Sequence, residues 1–363
     1  MIKIDGSHGE SGGQILRTAL AFSMLTGGAF TIENIRKGRE TPGLKAQHLA
    51  GVQSAARLCN AHVEGAELGS THLSFAPKPL KGSSLSIDIG TAGSATLLLQ
   101  SLLPALIFYK KCSITVTGGT DVAHAPPYDY FAYVFLPLLS RFAYIKSQLI
   151  KRGYYPKGSG TLKLDILPKY QLSQFPGFNE LRTHVQKEAP GFKLLNQSQL
   201  VHIKGVSHAS ADLQQAQVAE RQKQAAVHAL SKYSCPVSIR VEYARTASTG
   251  SGITLWALFS EKKDELDPLR IPRLAGDALG ERGIPAEKVG NLAAQRLSAE
   301  IESKAAVDRY LADQLLPFMA FVPSKIKTSE ITKHCLSNIY VIESFLGKTF
   351  EIEEKERVIR TVF

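Results

Sequence analysis

The chain has 363 residues, 44% hydrophobic and 21% charged, with a formal net charge of +11. This is the composition of an ordinary soluble globular protein, long enough for two or three domains around a substantial core. The basic balance favours nucleic acid, nucleotide or acidic-lipid partners, with a generally basic surface as the plainer reading, and the scattered Cys59, Cys112, Cys235 and Cys335 exclude a zinc or disulfide framework and fit a reducing compartment.

Short β-like runs alternate with longer helical ones. Residues 2–4 read as a strand, a glycine-rich turn follows, and residues 14–26 place Ile15, Leu16, Ala19 and Leu20 on one helical face before Gly27-Gly28 stops it. A strand over 30–35, a helix over 44–58 and a hairpin using 63–64 and 72–75 complete a β-α-β-α-β-β unit. The order recurs with a strand at 85–89, a helix at 95–106, a strand at 113–116, a helix at 128–142 and a hairpin of 145–149 with 162–167. A third copy is expected from about residue 275, with helices at 286–301 and 306–319, a strand at 325–328, a helix at 335–346 and a closing hairpin of 350–353 with 357–362. Residues 200–206, 217–231, 236–243 and 253–259 break the pattern as β-α-β-β. The expectation is therefore an α/β protein: a three-repeat domain over 1–180 and 278–363, with a smaller α/β domain inserted over 181–277.

The longest apolar stretch, 97–109, is interrupted by Gln100, Ser101 and Pro104 and falls short of the roughly 20 residues a membrane span needs. With no signal-peptide run at the N-terminus, a cytoplasmic location and no membrane partner are expected.

Four segments carry candidate chemistry, each at a loop-to-helix junction. In Asp5-Gly6-Ser7-His8-Gly9-Glu10-Ser11-Gly12-Gly13-Gln14, glycines admit backbone N–H groups to an anion, Glu10 offers a hard-cation ligand, and Arg17 lies one turn into the helix. A tight turn ahead of a helix explains that loop equally well. It lacks the Gly-Lys-Ser/Thr ending of a Walker loop. Arg36 and Arg39, three apart and followed by Pro42-Gly43-Leu44 and Gln47-His48, suit a phosphate clamp or a solvated basic loop. The pair Gly90-Thr-Ala-Gly-Ser94…Gln100 and Gly118-Gly-Thr-Asp121…Pro126-Pro127 combines small residues with a proline face, a weak signal alone. Tyr310, Asp313 and Gln314 share one helix face, an aromatic ring, a carboxylate and an amide that suit a nucleoside. His334 starts the next helix, at the repeat position of Gln47, and a neutral imidazole is a competent phosphoryl acceptor; a helix-start or core histidine is the commoner use.

These segments, together with Gly153-Tyr-Tyr-Pro-Lys-Gly, resemble the RNA 3′-terminal phosphate cyclase family in order along nearly the whole chain, most weakly in the insert. The resemblance implies three β-α-β-α-β-β repeats plus an inserted α/β domain. It also implies an ATP-dependent conversion of an RNA 3′-phosphate to a 2′,3′-cyclic phosphate through a histidine–AMP intermediate and an RNA-adenylate. Residue by residue, His334 resembles the adenylated nucleophile and Glu10 the contact to Mg²⁺ or Mn²⁺. Gln100, Pro126, Tyr310, Asp313 and Gln314 resemble the nucleotide pocket, and Arg17, Arg36, Arg39 and Gln47 the phosphate- and RNA-holding group. Implied partners are RNA with a 3′-phosphate end and ATP, and the insert is left with RNA contact or homodimer contact as its role. Ser11 and Ser159 depart from the family by standing where glycine is usual, which matters if φ must be positive. Relatives on this fold that lack the histidine act as ribosome-assembly proteins, so a non-catalytic RNA-binding factor is the main alternative, and an enolpyruvyl transferase on a related repeated fold is the second.

Overall fold

The computed structural model describes residues 1–10, 12–81, 84–261, 269 and 271–363; Ser11, one of the two serines in place of glycine, lies outside them. The chain opens with β1 (Ile2–Asp5), α1 (Gln14–Thr26), β2 (Phe30–Glu33), α2 (Ala46–Cys59), β3 (His62–Glu64) and β4 (Leu73–Ala76). Both helices end where one residue turns left-handed, Gly27 at φ 72° after α1 and Asn60 at φ 45° after α2. The next group is β5 (Ser84–Asp88), α3 (Ala95–Leu106), β6 (Cys112–Gly118), α4 (Tyr128–Tyr130), β7 (Ala143–Lys151) and β8 (Gly160–Pro168). Alternation of inward apolar and outward polar residues along β6 and β8 covers one sheet face.

The helix expected over 128–142 is not continuous. α4 passes into a π turn over Phe131–Phe135 and a 3-10 turn over Leu136–Arg141. Pro137 has no N–H to donate one turn back, which removes one bond of the ladder at this irregular stretch.

The remaining elements are α5 (Phe178–Glu188), β9 (Lys193–Leu194), β10 (Gln199–Ser210), α6 (Val218–Leu230), β11 (Val237–Ala244), β12 (Ser251–Ser260), β13 (Arg273–Leu279), α7 (Ala286–Glu302), α8 (Arg309–Met319), β14 (Lys325–Lys327), α9 (Lys333–Leu346), β15 (Phe350–Glu353) and β16 (Val358–Thr361). Three sheets share one connectivity, β1-β2-β4-β3, β5-β6-β8-β7 and β9-β14-β16-β15. In each, the first two strands are parallel and the other neighbours antiparallel.

This pairing moves two expected boundaries. β9 pairs with β14, and Leu181 and Val185 of α5 join the main core, so the third unit starts before the insert and not near residue 275. α7, expected as that unit's first helix, instead lies beside α6 and on the inserted sheet β11-β10-β12-β13. Val289, Ala293, Leu297 and Ile301 of α7 share a core with Ala226, Leu230, Ile253 and Leu255. The opposite face of the inserted sheet lends Val206, Trp256 and Leu258 to the main core, with Trp256 stacked on Tyr133 at 4.8 Å. The insert therefore sits between its own helices and the segment that follows α4.

Asp308 is the joint of this arrangement. It caps α8 by accepting from the N–H groups of Tyr310 and Leu311. It also accepts from Tyr130 Oη (2.7 Å) and from Ala275 N on β13 (3.1 Å). Burial, with Glu300 nearby, pushes its carboxyl up to about 7 despite these bonds. A carboxyl whose folded pKa is raised binds its proton more tightly folded than unfolded, so its contribution worsens as pH climbs from about 4 through 7. Asp308→Asn keeps a cap without the charge. The stability of this variant relative to the native chain should improve by roughly 1–3 kcal/mol between pH 5 and pH 8 in denaturant titrations. A pH-independent difference would mean that Asp308 is not held as a raised buried acid.

Candidate active site

The N-terminal ends of α1 and α9 meet beside the middle of α8 and α3. Thr332 caps α9 by accepting from Cys335 N, and His334 stands in that helix's first turn, where the backbone leaves a partial positive charge. His334 Nδ1 lies 2.7 Å from Glu10 Oε2 and Glu10 is also ion-paired with Arg39. The imidazole is 40% exposed and the carboxylate 21%, so a ligand has access to both.

The glycine-rich loop reaches α9 because it carries so little bulk. Gly9 has φ 64°, and a Cβ there would stand 2.6 Å from Ser337 Oγ. A Cβ at Gly13 would stand 2.2 Å from His48 Nε2. Ser337 Oγ accepts from Glu10 N and donates to His8 O, both at 3.4 Å, and the His8 ring stacks on Tyr340 at 4.1 Å.

Beneath His334, one turn further along α9, the Asn338 amide is shared among three helices. Its oxygen accepts from Gln14 Nε2 (2.9 Å) and Thr18 Oγ1 (2.5 Å), and its nitrogen donates to Asp313 O (2.8 Å). The sequence motifs gave Asn338 no role; its place four residues after His334 was the available signal.

Charge around the imidazole is balanced between two cations and two carboxylates. Burial lowers the His334 pKa below its ordinary value, Asp313 opposes this, and Arg17 and Arg39 add to it. Burial raises Asp313 to about 6 against the pull of His334 and Arg17. Burial brings Arg17 down to about 10, which still leaves it charged at neutral pH. Arg17 donates to Gln14 Oε1, while its Nε has no hydrogen-bond partner among the described residues. His48, the buried neighbour of Arg17, is pushed down to about 3 by burial and by Arg17, Arg36 and Lys45, so it is neutral. The adjacent thiol is no rival nucleophile, because burial pushes Cys335 up to about 12.

The expected residues divide by geometry. Arg17, Asp313, Gln100 and Gln314 line one small cavity with Gln14 and Thr18. Gln100 Nε2 donates to Gln314 Oε1 (2.9 Å), and Gln314 Nε2 donates to Tyr310 O (2.8 Å). Tyr310 itself is 54% exposed, a ring open to stacking at the rim. Pro126 accepts from Thr96 Oγ1 (2.7 Å) at the start of α3. Arg36 and Gln47 are turned into structure: Arg36 Nη1 donates to the carbonyls of Thr41 and Gly43, and Gln47 Oε1 accepts from Ser94 N. Ser159 has φ 58°, so the position does demand the left-handed backbone that favours glycine.

An accessible imidazole beside a carboxylate, at a helix N-terminus and flanked by arginines, has the chemistry suited to a phosphate ligand. The sequence model described as RNA 3′-terminal phosphate cyclase matches residues 8–352. Proteins of that name are similar over nearly their whole length. The one from Pyrococcus furiosus is 43% identical over 355 residues, covering 97% of this chain and 95% of its own. Those from Methanosarcina acetivorans and Archaeoglobus fulgidus are 44% and 43% identical, covering 98% and 99% of this chain and 98% and 100% of their own. The chain belongs to the RNA 3′-terminal phosphate cyclase family and is an enzyme of that family. No helix among the described residues is long and apolar enough to cross a membrane.

Asn338→Ala removes the shared amide and leaves Gln14 and Thr18 without their acceptor. Unfolding by urea should show a loss of roughly 2–4 kcal/mol. A loss below about 0.5 kcal/mol would show that the three helices do not depend on that amide.

Proposed function

We propose that this chain cyclises RNA 3′-phosphate ends at the expense of ATP, with His334 as the nucleophile that accepts and passes on AMP. The observation that carries the reading is the 2.7 Å contact between His334 Nδ1 and Glu10. The two atoms meet at ion-pair distance without hydrogen-bond geometry, and the negative charge beside Nδ1 favours the tautomer protonated there, which leaves the Nε2 lone pair free to attack. Nε2 forms a bond to the α-phosphorus of ATP as the bond to pyrophosphate breaks. The RNA 3′-phosphate oxygen then takes the AMP from the histidine. Last, the neighbouring 2′-hydroxyl attacks the activated phosphorus, loses its proton and expels AMP, which leaves the 2′,3′-cyclic phosphate.

Arg17 and Arg39 carry positive charge into the place where phosphate charge accumulates, and the N-terminus of α9 adds its partial charge. Tyr310, Gln100, Gln314 and Pro126 fit the nucleoside side, with Tyr310 offering a stacking face. Glu10 is the carboxylate suited to Mg²⁺ or Mn²⁺, since it is part-exposed beside His334 and hard cations take oxygen ligands. A cation bound there would neutralise polyphosphate charge. In the free protein, Arg39 offsets the charge of the Glu10 carboxylate.

With α-labelled ATP, the denatured native chain should retain an acid-labile, alkali-stable label. His334→Ala should reduce labelling to background while changing stability by no more than about 1 kcal/mol, because the His334–Glu10 pair is part-exposed. Persistent labelling of that variant would remove His334 from the mechanism. An unlabelled but folded native chain would instead favour a non-catalytic RNA-binding protein. Glu10→Ala should slow labelling by about 10–100-fold with partial recovery at higher Mn²⁺, and full activity at low metal would exclude a metal role for Glu10. RNA affinity should fall as salt rises, because basic side chains release counterions from the phosphate backbone. A flat salt response would rule out an electrostatic RNA channel.

A further inference from the structure

Away from His334, the densest cluster of buried charge lies where the inserted sheet meets the loop between β6 and α4. Arg152 follows β7, its side chain is 2% exposed, and it is surrounded by carboxylates. It donates to both oxygens of Asp121 (3.2 and 3.1 Å), to Asp129 (2.8 Å) and to Glu242 of β11 (2.7 Å). His208 of β10 brings Nε2 to 3.3 Å from Asp121, and its Nδ1 shares a 2.7 Å hydrogen bond with Tyr154 Oη. Asp121, Asp129 and His208 are close enough to ligate one cation, but the Arg152 guanidinium already fills that place. A metal ion would have to sit against a buried positive charge.

The surroundings assign the cluster a task. Asp121 belongs to the loop that carries Pro126. Gly119 of that loop donates to Gly93 O (2.8 Å) and accepts from Ala95 N (2.9 Å), and Pro126 O accepts from Thr96. These bonds fix the first turn of α3, which places Gln100 against Gln314. The segment after Arg152 lies flush on the same turns. A Cβ at Gly153 would stand 2.6 Å from Gly118 O, and one at Gly158 would stand 2.7 Å from Ala92 Cα. From the insert, Gly250 packs on the Tyr154 ring, where a Cβ would stand 2.3 Å from Cγ, and Ser248 Oγ accepts from Lys157 N (3.0 Å).

We infer that Arg152 is a positioning residue for the nucleotide-binding wall formed by the Pro126 loop and α3, and that the insert serves this wall as a buttress by supplying Glu242. This inference rests on the proposed nucleotide role of Gln100 and Pro126. The guanidinium joins three carboxylates, two from the main body and one from the insert, by planar donors, which a lysine ammonium cannot reproduce. Loss of this fork lets the wall move without touching His334, so nucleotide affinity suffers before the chemical step does.

The test is the initial rate of self-labelling with α-labelled ATP, as a function of ATP concentration, for the native chain, Arg152→Lys, Glu242→Gln and the double variant. Arg152→Lys should raise the half-saturating ATP concentration by about 10-fold or more, with the saturated rate within about 3-fold of native. Glu242→Gln should raise it by about 3–5-fold, and the double variant should show less than the product of the two, since both act through one guanidinium. Unchanged half-saturation with a saturated rate reduced only in proportion to the folded fraction would overturn the inference and leave a purely structural cluster. Should Arg152→Lys fail to fold, Glu242→Gln decides alone, because that side chain is 34% exposed and its replacement leaves the Asp121 and Asp129 bonds in place. A folded native chain that takes no label overturns the nucleotidyl reading and this inference together, whereas native labelling with unchanged half-saturation in the folded variants overturns this inference alone.

Discussion

The Asn338 amide has one oxygen and one nitrogen to satisfy inside a dry helix junction, and its partners come from α1 and α8. Because a buried amide without partners is expensive, this geometry admits one relative placement of α1, α8 and α9. The consequences extend upward by one helical turn. With α9 fixed against α1, the glycine-rich loop must pass directly over the start of α9. Glu10 is then brought to His334, and Gly9 and Gly13 are required where any side chain would collide.

The same junction sets the electrostatics. Asp313 and Arg17 are enclosed by the helices that Asn338 holds, and burial shifts both toward their neutral forms while their mutual attraction resists. His334 sits at the edge of this enclosure. It is half-buried, which disfavours its charged form, yet exposed enough to meet a ligand. Cys335, one residue later, faces inward and is chemically inert. Nucleophilicity at this corner is therefore decided by which side of the helix start a residue occupies. The inserted sheet is tied into the same frame from behind, through Asp308 to α8 and through Arg152 to the loop before α4.

Much of this was legible in the residues. The Gly27-Gly28 stop, the period-3.6 helical face of α1 and the short β-like runs are local signals, and they placed most elements within a few residues. Glu10, Arg39 and His334 were recognisable as chemistry-bearing, and the structure brings all three into direct contact. The start of the third unit was not legible. β9 has two residues, too short for any periodicity, and its identity depends on pairing with β14 more than a hundred residues later. An amphipathic helix such as α7 declares that it has an apolar face but not which sheet covers that face. Arg36 was expected to hold phosphate from its guanidinium chemistry and Gln47 from the family resemblance; the backbone carbonyls and N–H that engage them are set only when the loops are folded.

By itself, then, the sequence determined the alternation of strands and helices, the family and the residue types at the loop-to-helix junctions, because each is written in spacing over a few residues. Tertiary structure alone decided that α7 serves the insert, that Asn338 joins three helices and that Arg152 binds two domains at once. These depend on contacts between residues separated by tens to hundreds of positions, and such contacts become favourable only when packing removes water from both partners.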